Sequence, residues 1–198
     1  MKKIILASAS PRRKELLGKL GIPFQVEASE LPESYVNNLT PVEMVRFLSL
    51  EKARMVSKKY PDALIIAADT IGVLGRKIIG KPDGAGDAVR MLRELSGRTH
   101  RVITGFTIMD GETGKTLTQT VTTEVTFRKL SRREIEAYVR TGEPLDKAGA
   151  YAIQGLGAVL VKETKGDYYN VMGLPLSALA AALKRFGVRV LNEYRCGV

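Results

Sequence analysis

Five consecutive apolar residues followed at once by an acid, Leu64-Ile65-Ile66-Ala67-Ala68-Asp69, constrain this chain more than any other stretch. A half-solvated strand alternates apolar and polar residues, so a run that is apolar on both faces reads as a central strand covered on each side. Such a strand needs helices to cover it, and helical and strand patterns alternate through most of the sequence. Residues 3–7 read as a first strand and 11–20 as a helix with Leu16, Leu17 and Leu20 on one side. A second strand is expected over 24–28. A helix over 41–58 has a marked start, because Thr40, Pro41 and Glu43 have the spacing of a capping box with proline at the first helical position.

A hairpin turning at Gly75-Arg76 leads to Ile78-Ile79, followed by a helix over 86–95. The Val- and Thr-rich stretches 99–109 and 116–127, separated by Asp110-Gly111-Glu112-Thr113-Gly114, read as a long antiparallel pair. Ser131 with Glu134 caps a helix reaching Arg140, a strand is expected over 158–163, and Leu176, Leu179, Leu183 and Phe186 mark a final helix. The expected architecture is α/β: an elongated mixed sheet flanked by helices, with a substantial antiparallel element. No repeat or linker divides residues 1–198, so one domain with two lobes around a central cleft is expected.

The chain carries 31 Lys and Arg against 21 Asp and Glu, a formal charge of +10, which favours an anionic partner. Its basic residues fall in short groups such as Lys58-Lys59 and Arg132-Arg133, without interleaved aromatics, so they read as solvated helix faces rather than a nucleic-acid platform. A small polyanion stays open as the partner. The apolar start at Ile4-Ile5-Leu6-Ala7 is too short for a signal peptide, and no run approaches a membrane span. One cysteine, Cys196, and one histidine, His100, exclude an intramolecular disulfide and a Cys/His metal cluster, leaving a hard cation on carboxylate oxygens as the metal option. Thiol scarcity fits the cytoplasm.

Several segments could hold such a polyanion. Ser8-Ala9-Ser10-Pro11-Arg12-Arg13 ends a strand and opens a helix, with Ser10 as cap and free amides at the helix end. Arginines in a first turn oppose the helix dipole, so local stability does not explain Arg12 and Arg13; an anion site or a capped helix with surface arginines both fit the spacing. Lys52 falls within the helical stripe of Val45, Leu48, Met55 and Val56, where it either snorkels or points into a cleft holding negative charge. Asp69-Thr70 stands at the expected carboxyl end of the central strand, where ligands bind in open α/β sheets; a turn-capping acid is the alternative. Gly80-Lys81-Pro82 adds a cation in a constrained loop, and Glu30 and Glu33 flank Pro32 in an acidic one. His100 reads as packed rather than catalytic. The Gly-rich stretch 146–155, ending Gln154-Gly155, lets backbone approach a ligand or is a tight connection. Walker, dinucleotide, zinc-protease and nucleophile-elbow motifs are absent.

Taken in order, Leu6-Ala7-Ser8-Ala9-Ser10-Pro11-Arg12-Arg13, Glu51-Lys52-Ala53, Ala68-Asp69-Thr70-Ile71, Gly80-Lys81-Pro82, Glu143 through Tyr151 with Gln154-Gly155, and Asn170-Val171-Met172-Gly173-Leu174-Pro175 resemble the Maf family of nucleoside triphosphate pyrophosphatases. The resemblance implies a fold related to the inosine triphosphate pyrophosphatases, a homodimer, and hydrolysis of a nucleoside triphosphate to monophosphate and pyrophosphate with Mg²⁺ or Mn²⁺. Carried onto this chain, it implies Asp69 as base, Ser8, Ser10, Arg13, Lys52 and Lys81 around the phosphates, and Glu33 with Asp69 as metal ligands. Arg12, Thr70 and Gln154 stand at three substrate-selecting positions and look like the dTTP/UTP branch, with modified pyrimidine triphosphates as further substrates; a 7-methyl-GTP branch carries other residues there. Glu30-Leu31-Pro32-Glu33 departs from a more acidic loop, and Met172 replaces the usual Val. A nucleic-acid-binding protein and a cell-division regulator, the role behind the family's name, are the other readings.

Overall fold

The computed structural model describes residues 2–29 and 39–191. In chain order the elements are β1 (Ile4–Ala7), α1 (Pro11–Gly18), β2 (Gln25–Glu27), α2 (Pro41–Ser57), β3 (Leu64–Leu74), β4 (Lys77–Ile79), α3 (Ala85–Leu95), β5 (Thr99–Asp110), β6 (Thr116–Phe127), α4 (Arg132–Arg140), β7 (Val161–Lys165), α5 (Tyr168–Met172) and α6 (Leu176–Leu183). The seven strands form one mixed sheet in the order β2-β1-β3-β5-β6-β7, with β4 also paired to β3. Strand β1 runs parallel to β2 and β3, while β3–β4, β3–β5, β5–β6 and β6–β7 are antiparallel.

Strand β3 is central, and its two faces feed separate cores. Ile65 and Ala67 pack with Ala53 and Val56 of α2, and Ile71 and Val73 with Val45 of the same helix. Leu64, Ile66 and Ala68 face the opposite way, into the main core with Leu16, Leu17, Phe106, Leu174 and Leu179. Helix α2 starts where its capping box predicts, with Thr40 and Glu43 bonding each other's backbone amides. It lies close on the sheet because Gly105 of β5 has no side chain: a Cβ there would meet the Val45 carbonyl oxygen at 2.4 Å.

Two expectations need correction. Strand β3 does not end at Asp69 but continues to Leu74, because β5 and β4 keep pairing with it beyond the acid. The strand expected over 158–163 is a 3₁₀ turn at Leu156–Leu160 followed by β7 at Val161–Lys165. The Glu143 carboxylate accepts from Leu156 N (3.0 Å) and Gly157 N (2.9 Å), and these bonds wind the chain before it can extend. No helix among the described residues is long and apolar enough to cross a membrane.

Candidate active site

The strand pairings leave a window in β3. On the edge away from β5, β1 covers Leu64 to Ala67 and β4 covers Gly72 to Leu74, so residues 68–71 lack a strand partner on that side. Because β1 is parallel and β4 antiparallel to β3, the chain leaving β1 (Ser8 to Ser10) and the chain leaving β4 (Gly80, Lys81) run toward this window from opposite ends. Asp69 and Thr70 lie within it. Asp69 is thus mid-strand, yet just past the carboxyl end of the parallel pair β1–β3, which keeps the physical sense of the sequence expectation.

The two window residues point to opposite faces. Asp69 turns toward α2, where Lys52 donates to its Oδ1; the two side chains are only 15% and 18% exposed. Lys52 therefore ends on a carboxylate in a mostly buried pair rather than snorkelling to the surface. Its stripe is less apolar than expected, since Met55 is exposed and the buried residues of α2 are Val45, Ser49, Ala53 and Val56. No protein donor reaches Asp69 Oδ2 among the described residues.

On the other face, Arg13 reaches back from the first turn of α1. Its Nε donates to the Gly173 carbonyl (3.0 Å), Nη1 to Ser8 Oγ (3.4 Å) and Nη2 to Thr70 Oγ1 (3.1 Å). Burial lowers the Arg13 pKa, and Arg12 adds to that, while Asp69 pulls it back up, so carboxylate and guanidinium sense each other across the window. Gly173 has φ +109°, a backbone state that disfavours side chains, and it lies against Arg13 and Thr70. Ser8 is buried and its Oγ also accepts from Ser10 N (3.2 Å), while Ser10 Oγ caps α1 through Arg13 N (3.4 Å). The cap fixes the helix end and hence the root of both arginines.

Arg12 is half-buried and lies within electrostatic reach of Asp146, whose carboxyl is held below its ordinary range first by Lys147 and, opposing burial, also by Arg12. Lys81 is exposed on its loop, which is tied to the Gly-rich segment by Gly149 N donating to the Gly80 carbonyl (2.9 Å). Gln154 is exposed on a turn. Glu33, and with it the acidic loop, lies outside the described residues. The structure therefore brings Ser8, Ser10, Arg13, Lys52, Asp69 and Thr70 together, with Arg12 on the first turn of α1 and Lys81 on the chain leaving β4, while Gln154 lies on the turn beside Glu143 with no bond to the window among the described residues. His100 is packed as expected: buried between Phe127 and Tyr151, with Nε2 2.9 Å from the Tyr151 hydroxyl.

Sequence reasoning gave no role to four supporting residues. Thr104 and Asn170 lie behind Thr70, Gly173 accepts from Arg13, and Glu143 holds the turn that carries Gln154. Tyr138 donates to Glu143 (2.7 Å) and accepts from Ala152 N (3.1 Å). A Cβ on Gly155 would fall 2.2 Å from Glu143 Oε2, so the residue after Gln154 must be glycine for the carboxylate to sit there. Burial works against ionisation of Glu143, but bonds from Gly157 N, Tyr138 and Leu156 N hold its carboxyl below the usual range. The Asn-x-x-Gly and Gln-Gly pairings were the available signals, though neither states what it supports.

The window thus carries one carboxylate with Lys52 on one face and Arg13 on the other, next to a capped helix end whose free amides can receive an anion. A family model described as "Maf-like protein" matches residues 3–186, and the chain belongs to that family. It is 51% identical over 190 residues to a protein of Moorella thermoacetica named dTTP/UTP pyrophosphatase, covering 96% of this chain and 98% of that protein. A protein of the same name from Halalkalibacterium halodurans is 51% identical over 94% of this chain and 97% of its own length. Among solved structures, a HAM1 protein from Coxiella burnetii has a TM-score of 0.55 at 15% identity, covering 93% of this chain and 100% of that one, a likeness of fold.

Proposed function

We propose that this chain hydrolyses nucleoside triphosphates, with dTTP and UTP and modified pyrimidine triphosphates as its substrates, to the monophosphate and pyrophosphate. The observation that carries the reading is the β3 window, where Lys52 orients Asp69 on one face of the strand and Thr70 holds Arg13 on the other. The shared name of the relatives supports the choice of substrates.

In this reading, Lys52 orients the Asp69 carboxylate, which takes a proton from water. That water attacks the α-phosphorus, the bond from this phosphorus to the bridging oxygen breaks, and pyrophosphate leaves with the bond's electron pair. Arg13, Lys81, Ser8 and the α1 amides hold the phosphates and balance charge on the departing oxygens. Arg12, Thr70 and Gln154 select the base.

A divalent ion fits the donor set in one way. Among the described residues no group of three or more acidic, His or Cys side chains is placed to hold an ion. Mg²⁺ commonly needs only one or two carboxylates with phosphate oxygens and waters, and Asp69 has a carboxylate oxygen that no donor reaches among the described residues. We infer that Asp69, with Glu33, would hold Mg²⁺ or Mn²⁺ together with the triphosphate. The ion would lower the pKa of bound water and neutralise phosphate charge.

We further infer one catalytic domain whose two lobes flank the window, acting as a cytoplasmic homodimer. Its partner is a nucleotide rather than nucleic acid, because the basic residues fall in short groups without interleaved aromatics. The test is pyrophosphate release from dTTP, UTP, dATP, dGTP and 7-methyl-GTP, with Mg²⁺, with Mn²⁺ and with EDTA. Turnover of dTTP and UTP that EDTA abolishes supports the proposal. Preference for 7-methyl-GTP overturns the substrate assignment, and no release from any of them overturns the activity.

A further inference from the structure

We infer that Thr104, a fully buried residue of β5 that cannot touch substrate, is a positioning residue that fixes Arg13 through the Thr70 hydroxyl. The inference rests on the proposed hydrolase reading only for its kinetic consequence; its structural content stands on hydrogen-bond geometry alone.

Thr104 faces Thr70 directly across the β3–β5 ladder, and their Oγ1 atoms are 2.9 Å apart. Each hydroxyl has one hydrogen, which determines the chain's polarity. Thr70 Oγ1 accepts from Arg13 Nη2 at 3.1 Å, and Thr104 Oγ1 donates to the Asn170 carbonyl at 3.2 Å. The Thr70 hydrogen is then directed to Thr104, giving one continuous run from Arg13 through Thr70 and Thr104 to Asn170. The reverse polarity would need Thr70 to donate to the Gly173 carbonyl at 3.4 Å, a longer bond to an oxygen that already accepts from Arg13 Nε.

The far end of the run is rigid. Asn170 is fully buried, and its Nδ2 donates to the Val102 carbonyl and to Thr123 Oγ1, both at 3.0 Å. Thr123 Oγ1 donates to the Asp167 carbonyl (2.9 Å), and the Asp167 carboxylate caps α5 through Tyr169 N and Asn170 N. Both anchors of Arg13 beyond Ser8, namely Thr70 Oγ1 and the Gly173 carbonyl, are therefore referred to one frame made of β5, β6 and α5. If Thr104 loses its hydroxyl, the Thr70 hydrogen turns to Gly173 and competes with Arg13 Nε. The Asn170 carbonyl keeps a donor, because Gly173 N also bonds it (3.0 Å), so the fold loses little.

The test compares Thr104→Val, which keeps the branched shape, with Thr104→Ser, which keeps the hydroxyl. With dTTP, Thr104→Val should lower kcat about five- to ten-fold with KM changed less, the worth of the one neutral hydrogen bond between Thr70 and Thr104, and Thr104→Ser should restore it to within about two-fold. In an Arg13→Lys background, which has no fork to hold, Thr104→Val should add less than about two-fold. A full additive loss there, or no loss in the single variant, overturns the proposal. An activity-independent arm reads the Arg13 Nε–H signal in ¹⁵N spectra, assigned by its disappearance in Arg13→Lys. It should stay protected in wild type and Thr104→Ser and exchange faster in Thr104→Val. An unchanged signal in Thr104→Val overturns the proposal even if wild type releases no pyrophosphate, a result that by itself would count only against the hydrolase reading.

Discussion

Replacing Gly105 by alanine tests how α2 is held over the β3 window. The added Cβ would sit 2.4 Å from the Val45 carbonyl oxygen, 2.5 Å from its carbon and 2.9 Å from Arg46 N, all backbone atoms of α2. Ordinary contact begins near 3.4 Å, so the helix must retreat by about 1 Å along that line. The buried face of α2 (Val45, Ser49, Ala53, Val56) then loosens against the sheet, and a gap of about 1 Å forfeits up to half of each dispersion contact. Overpacking costs about 1–3 kcal/mol, and the upper end applies because no flexible side chain can move aside. The alanine recovers up to about 1 kcal/mol from the unfolded chain, leaving a net loss of about 2 kcal/mol. Turnover should fall further than stability, up to about 100-fold, because Lys52 rides on the same helix two turns beyond Val45 and holds Asp69. Urea unfolding and dTTP kinetics read both effects. Gly86→Ala in α3 is the control: nothing lies within 4 Å of its Cβ position, so it should stabilise by about 0.5 kcal/mol. If Gly105→Ala unfolds within about 0.5 kcal/mol of wild type, the close approach of α2 does not constrain the site as argued.

Three further variants probe separate links. Asp69→Asn should lower pyrophosphate release at least about 10³-fold while nucleotide affinity, read by calorimetry, holds or tightens as a negative charge leaves; near-normal turnover removes Asp69 from the role of base. Burial lowers the His100 pKa from 6.5 to about 4, so the unfolded chain binds a proton that the folded one refuses as pH falls through that window. Stability present at pH 7 should decline by roughly 3 kcal/mol between about pH 6.5 and 4, and His100→Gln should lack that component in paired urea melts at pH 7 and 4.5. Equal pH slopes in the two proteins would refute it. Glu143→Gln cannot accept all three of its bonds with one oxygen, so it should cost about 1–3 kcal/mol and lower the ratio of kcat/KM for dTTP over 7-methyl-GTP; an unchanged ratio would separate Glu143 from the Gln154 turn.

Much of this architecture was legible where a local rule decides the outcome. The capping boxes at Thr40 and Ser131, the buried run before Asp69 and the β5–β6 pair all follow from spacing and side-chain type. What escaped depends on contacts between distant segments. The winding of residues 156–160 is imposed by Glu143, thirteen residues before the first amide it binds. The five-residue helix α5 is too short for a periodicity, and it is held by Asn170 bonding strands far back in the chain. The site was readable as a set of residues, because cations at a helix start, an acid after a dry run and a lysine in an apolar stripe each break a local preference. Its geometry was not readable. That Asp69 and Thr70 point to opposite faces follows from the strand continuing through them, and that Arg13 reaches Thr70 depends on β1 and β4 stopping short of each other along β3.

The most direct trial of the central claim is hydrolysis of dTTP in ¹⁸O-labelled water with mass analysis of both products. Attack by water at the α-phosphorus, in the window between Asp69 and Arg13, puts one labelled oxygen in dTMP and none in pyrophosphate. Label found in pyrophosphate, or in inorganic phosphate released with dTDP, would contradict it.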